Sequence, residues 1–247
     1  MTLPSRRLVV AGSAAVMLAR PANAAQTGGA TVRFPTKDHE VRATYFRAPG
    51  DAKRPTALIL HGAGGFERSR SGYEQYSAAL AAAGIDAYMV SYYNKADETA
   101  VTSVFEIRYE AWAGLVSEIA AAVMKRPDSN GKVGLVGFSN GGILATGIGA
   151  LDPKIAAAVI YYGTEPWPLN KAPTRFPPML ILHGDADDII PVDQGRRLAQ
   201  IAQKLGGNAE LVIYPDGKHG FGLRDDVHGY GADSLKRTIA FLKRELA

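Results

Sequence analysis

The sequence predicts an α/β protein, a three-layer sandwich whose mostly parallel sheet carries helices on both faces. Three observations predict it. Short β-rich runs alternate with longer helical stretches from about residue 31 onward. Several of those runs, such as Ala57 to His61 and Val133 to Gly137, are continuously apolar, as strands buried on both faces are. Chemically able residues then fall directly after strands: His61-Gly62-Ala63-Gly64-Gly65 after one, Ser139 after another, Asp185, Asp187 and Asp188 after a third, and His219 after the last. Open sheets of this kind bind ligands at the carboxyl ends of their strands.

In chain order, Thr31 to Phe34 and Val41 to Arg47 read as a leading strand pair turning around Thr36-Lys37-Asp38. Ala57 to His61 is a central strand, Tyr73 to Ala83 a helix ended by Gly84, and Ile85 to Tyr92 the next strand. Val104 to Lys125 is a long helix closed by Pro127, followed by the strand Val133 to Gly137 and the helix Ile143 to Ala150. Ile155 to Tyr162, Met179 to His183 and Ala209 to Tyr214 complete the strands. Val192 to Leu205 and Ser234 to Leu246 are the remaining helices. No repeat, low-complexity tract or linker divides residues 31–247, and residues 25–247 are expected to form one catalytic domain. The connection Gly163 to Pro178 is too short for a large lid; it carries Trp167 and Phe176 and reads either as a surface loop or as a stiff aromatic flap.

The first 24 residues are set apart. Arg6 and Arg7 precede an apolar stretch from Leu8 to Ala19 and a small-x-small pattern, Ala22-Asn23-Ala24, which together read as an export signal peptide. Ser5-Arg6-Arg7-Leu8-Val9-Val10 also fits a twin-arginine leader, and the sequence does not choose between that route and the general secretory one. The expected location is periplasmic or secreted. The apolar stretch falls short of the roughly 20 residues a membrane span needs. Setting aside Arg6, Arg7 and Arg20 takes the chain's formal charge from +4 to +1. No basic run interleaved with aromatics remains, so a nucleic-acid partner has no support. Zero cysteines excludes disulfides and thiolate chemistry.

Gly137-Phe138-Ser139-Asn140-Gly141 lies between a predicted strand and a predicted helix and has the form of a nucleophile elbow. A serine hydroxyl is a poor nucleophile at neutral pH, so it needs a base in hydrogen-bond reach and an acid to orient that base. His219, in the loop Tyr214-Pro215-Asp216-Gly217-Lys218-His219-Gly220-Phe221, is the candidate base. The acid lies in His183-Gly184-Asp185-Ala186-Asp187-Asp188-Ile189-Ile190-Pro191, where three aspartates compete. Candidate oxyanion donors are the backbone N-H groups of Asn140 and Ala63, the latter with Gly64. The glycine-rich turn at 62–65 lacks the Lys-Ser/Thr and dinucleotide patterns of phosphate loops. His61 and His183 read as turn organisers, Tyr92 and Tyr93 as strand-end packing, and no histidine shows metal-ligand spacing. Neither a metal nor a cofactor is expected.

The motifs at 137–142, 183–191 and 214–221 resemble those of the dienelactone hydrolase family of α/β-hydrolases. The family's His-Gly-x-x-Asp-x-x-Val-Pro pattern places the acid on Asp187, and its Tyr-Pro-x-x-x-His-x-Phe pattern places the base on His219. Ser139, Asp187 and His219 then stand 48 and 32 residues apart in the family's order. The family's namesakes carry a cysteine nucleophile and a glutamate beside the oxyanion turn, where this chain has Ser139 and Gly62. The resemblance therefore implies a serine hydrolase that cleaves a small-molecule carboxylic ester or lactone through an acyl-enzyme, rather than dienelactone in particular. Amide or peptide hydrolysis and acyl transfer would use the same site, and a noncatalytic binding protein on this scaffold is the reading from another class. The sequence says nothing of oligomeric state.

Overall fold

A computed structural model describes residues 29–93, 105–165, 173–223 and 228–247. The expected signal peptide and the Trp167 stretch lie outside the described residues. Eight strands form one sheet: β1 (Ala30–Pro35), β2 (Glu40–Phe46), β3 (Arg54–Leu60), β4 (Asp86–Val90), β5 (Ser129–Phe138), β6 (Ile155–Tyr161), β7 (Met179–Gly184) and β8 (Ala209–Tyr214). Their spatial order is β1-β2-β4-β3-β5-β6-β7-β8. β2 pairs antiparallel with β1 and β4, and every other pairing is parallel. From β3 the chain moves outward to β4 and then returns to the other side at β5, which puts the topological switch between β3 and β5.

The helices are α1 (Arg70–Ala82), α2 (Phe105–Met124), α3 (Asn140–Leu151), α4 (Val192–Lys204) and α5 (Tyr230–Glu245). One apolar core joins Leu58 and Leu60 of β3 to Trp112 and Val116 of α2, Leu144 of α3 and Leu198 of α4. The other joins Ala57 and Ile59 of the same strand to Tyr73 and Leu80 of α1 and Phe241 of α5. Successive β3 side chains thus feed opposite layers, and the continuous apolar run is the direct consequence.

Three helices begin earlier than the sequence indicates, α3 among them, at Asn140 directly behind Ser139. α1 starts at Arg70, with Gly72 inside its first turn, because a Cβ at Gly72 would sit 2.6 Å from the Leu223 carbonyl oxygen. Gly72 admits a neighbouring backbone there. α5 starts at Tyr230 behind Gly229, whose φ of 71° makes the entry turn. β5 likewise begins at Ser129, ahead of Gly131 with φ 85°, and its register against β3 shifts near that end.

The amino ends of the central strands carry a buried ion knot. Asp86 opens β4 and accepts hydrogen bonds from Arg54 Nε at 3.1 Å, Tyr45 Oη at 2.9 Å and the Ala48 amide at 2.8 Å. Arg54 also donates to Asp128 at 2.9 Å, and Arg126 holds the same carboxylate. Removing one member strands its partner's charge away from water. Arg54→Met is expected to lower unfolding free energy by about 3 to 5 kcal/mol, the usual cost of breaking a buried pair. Urea denaturation checks this, and a loss below about 1 kcal/mol, the range of exposed pairs, would show the knot to be dispensable.

Candidate active site

At the β5–α3 junction the chain turns within a space that admits only glycine on either side. A Cβ on Gly137 would lie 2.0 Å from the Gly141 carbonyl oxygen, and one on Gly141 would lie 2.2 Å from that of Leu60. Between them Ser139 takes φ 54° and ψ −118°, a backbone conformation strained for a residue with a side chain. Its amide donates to the Tyr161 carbonyl at 3.0 Å and its carbonyl accepts from Ile143 at 3.0 Å, so β6 and α3 hold the strain in place. Its side chain does not cap α3. It points instead to His219, with Oγ 2.9 Å from Nε2.

The loops after β7 and β8 are joined to each other. Gly184 and Gly217 approach so closely that a Cβ on Gly184 would fall 2.0 Å from the Gly217 carbonyl oxygen. The Ala186 amide donates to that same oxygen at 3.2 Å, and the Asp216 amide donates to Asp185 Oδ1 at 2.6 Å. This junction brings Asp187 beneath His219, with Oδ2 2.8 Å from Nδ1. Of the three aspartates the sequence left in competition, Asp187 is the one that faces the histidine. Asp185 serves the loop amide, and Asp188 is exposed.

Burial opposes the charged form of Asp187, yet hydrogen bonds from His183, His219 and the Ile190 and Ile189 amides outweigh it and hold the carboxyl well below its usual range. Oδ1 takes the two amides, at 2.9 Å from Ile189 and 2.8 Å from Ile190. His183 lies fully buried, donates from Nε2 to the Ile190 carbonyl at 2.8 Å and stands 3.5 Å from Oδ2. It therefore organises the acid loop, as expected from its place before a glycine. Tyr162, itself at φ 38°, packs against the His219 ring with centroids 4.7 Å apart.

The turn carrying Ala63 lies directly against the serine: a Cβ on Gly62 would be 3.3 Å from both Ser139 Cβ and the Phe138 carbonyl oxygen. Asn140 is the first residue of α3, immediately after Ser139. His61 stacks on Tyr92 with centroids 4.0 Å apart and donates from Nδ1 to the Gly62 carbonyl at 2.8 Å. The sequence pointed to His61 as a turn organiser, but it missed Tyr73 and treated Tyr92 only as packing. Both phenols bond this turn. No sequence pattern links either residue to it. Among the described residues no group of histidines and carboxylates could hold a metal ion, and no helix is long and apolar enough to cross a membrane.

Burial pushes His61 down to about 4, against a smaller opposing pull from its bond to the Gly62 carbonyl. An unfolded histidine titrates near 6.5. Between those values the unfolded chain binds a proton that the folded protein excludes, so stability falls as pH drops from about 6.5 to 4 and levels off below. The difference amounts to about 3 kcal/mol. Urea midpoints across that window are expected to slope downward in the wild type and to flatten in His61→Gln; equal slopes would assign the effect elsewhere.

A model of the dienelactone hydrolase family matches residues 42–246. An Escherichia coli K12 protein named "Putative carboxymethylenebutenolidase" is 28% identical over 122 residues, 44% of this chain and 45% of that protein. A Methylorubrum extorquens protein of the same name is 27% identical over 250 residues, covering 89% of this chain and 85% of its own. The chain spans less than half the length of the first of these relatives. Among solved structures, a "Putative Dienelactone Hydrolase" from Klebsiella pneumoniae superposes with a TM-score of 0.72 at 22% identity, covering 87% of this chain and 98% of that one. A hyperthermophilic esterase from Pyrobaculum calidifontis gives 0.71 at 17% identity, covering 88% and 86%. These two likenesses establish the α/β-hydrolase fold. With one family model running from β2 to the end of α5, through the elbow and both loops that meet beneath His219, the chain belongs to the dienelactone hydrolase family.

Proposed function

We propose that this protein is a serine hydrolase that cleaves small carboxylic esters or lactones through an acyl-enzyme. The observation that carries the reading is the unbroken chain of hydrogen bonds from Ser139 through His219 to Asp187. An ionised Asp187 accepts from Nδ1-H, which leaves Nε2 as the lone pair facing the serine O-H. His219 then takes the proton as Oγ attacks the carbonyl carbon, and Asp187 stabilises the imidazolium. The Ala63 and Asn140 amides receive the developing oxyanion, each worth about 3 kcal/mol in comparable sites. The imidazolium next protonates the leaving alkoxide. Water, deprotonated by His219, then releases the acid and restores Ser139.

A fluorophosphonate probe with mass-spectrometric mapping tests the nucleophile. Labelling is expected at Ser139 alone and is expected to vanish in Ser139→Ala together with turnover of a short-chain ester panel. Labelling at another residue, or turnover surviving in Ser139→Ala, would overturn the reading. Export is the companion proposal, supported by the leader pattern of residues 1–24. Protein recovered from a bacterial host should begin after Ala24, and an intact leader on the soluble protein would argue against it.

A further inference from the structure

We propose that Tyr73 and Tyr92 are positioning residues that aim the Ala63 amide at the oxyanion. The proposal rests on the reading of Ala63 as an oxyanion donor. The peptide group between His61 and Gly62 is held at both ends by phenols from different elements. Tyr92, just past β4, donates its hydroxyl to the His61 carbonyl at 2.6 Å. Tyr73, in the first turn of α1, accepts the Gly62 amide at 3.1 Å. A trans peptide is planar, so fixing its C=O and its N-H leaves the whole group no rotational freedom.

The next peptide group is fixed from one side only. The Gly62 carbonyl accepts from the Gly65 amide at 3.1 Å and from His61 Nδ1 at 2.8 Å. The C=O and N-H of one peptide group point in opposite directions, so anchoring this carbonyl sets the direction of the Ala63 N-H. Among the described residues that N-H has no hydrogen-bond partner, while Gly62 packs on Ser139. It is a donor held in place by its neighbours.

The clamp is itself rigid. Tyr92 is wholly buried, stacks on His61 and meets Tyr93 and Trp112 edge-on. Tyr73 meets Phe66 and Phe138 edge-on, and Phe138 directly precedes the serine. The same aromatic packing therefore borders both the nucleophile and the turn opposite it. A preorganised donor needs this, because small misplacements in such sites cost large factors in rate.

Tyr73→Phe and Tyr92→Phe keep ring and packing and remove each phenol's bond to the turn. Each is expected to lower kcat for a short-chain ester about tenfold with KM within about twofold, since the donor acts in the transition state. Affinity for an alkyl boronic acid, which forms an anionic tetrahedral adduct on Ser139, should fall in the same proportion. The Gly62 amide should exchange hydrogen about tenfold faster in Tyr73→Phe. Variants that lose thermal stability but keep boronate affinity and kcat would assign the phenols a purely structural role and overturn the proposal. Unchanged Gly62 exchange would overturn it as well. A wild-type protein that neither turns over esters nor binds boronate would defeat the hydrolase reading instead, and amide exchange would still decide the clamp.

Discussion

Asp187→Asn is expected to reduce kcat by about ten-thousandfold while leaving the fold intact. Asparagine has nearly the shape of aspartate, and its oxygen can keep the bonds from the Ile189 and Ile190 amides. Its nitrogen then faces His219 Nδ1, and a nitrogen donor cannot accept a proton. The ring must turn its lone pair toward the amide, which places N-H at Nε2 against Ser139 and removes the base. KM should change little, because the lost contact acts on the histidine and not on bound substrate. Asp188→Asn is the control, since that side chain is exposed and should leave kcat within about twofold. An Asp187→Asn variant keeping more than about a tenth of wild-type kcat would be incompatible with the proposed role of the acid. The carboxyl of Asp187 is depressed below its usual range, so the sign of its linkage is fixed. Its contribution to stability is complete above about pH 4 and is lost only in strong acid, as pH falls through the lowered folded value. Losses under mildly acidic conditions therefore come from other groups, His61 among them.

Gly141→Ala is expected to be among the most damaging single-methyl changes at the described residues. The added carbon would sit 2.2 Å from the Leu60 carbonyl oxygen and 2.6 Å from that of His61. Both are backbone atoms at the end of β3, so no side-chain rotation relieves the clash. Either α3 or the oxyanion turn must move, and a loss above about 4 kcal/mol is expected, with little soluble protein recovered. Gly114→Ala provides the contrast. It lies exposed within α2, and nothing stands within 4 Å of its added carbon. There the same substitution should stabilise the protein by about 0.5 to 1 kcal/mol through helix propensity and reduced unfolded-state entropy. Equal urea midpoints for the two variants would mean that the elbow is less constrained than its geometry indicates.

The order of strands and helices was legible because the central strands are short continuous apolar runs and the helices are longer stretches between them, a difference visible in a single sequence. Ser139 and His219 were legible because short motifs carry them. Asp187 was separable from Asp185 and Asp188 only through a family pattern, since all three occupy one loop and differ only in where the backbone turns them. What stayed hidden is what distant segments do to one another. The role of Gly72 was hidden because the Leu223 carbonyl it accommodates comes from far along the chain. Tyr92 looked like packing and Tyr73 drew no reading at all, because the peptide group they hold belongs to a third segment. The ion knot was invisible for the same reason: Arg54, Asp86 and Asp128 meet only once β3, β4 and β5 are aligned.

That knot lies at the amino ends of the strands, whereas Ser139 and the oxyanion turn follow their carboxyl ends. The seven residues of β3 place about 20 Å of stiff sheet between the two. Substitutions so far apart with no shared partners act additively. A directed-evolution campaign therefore has two separate workbenches. Charge pairs at the amino edge can be tightened for heat tolerance, and loops at the opposite edge reshaped for new substrates, with little epistasis between the libraries.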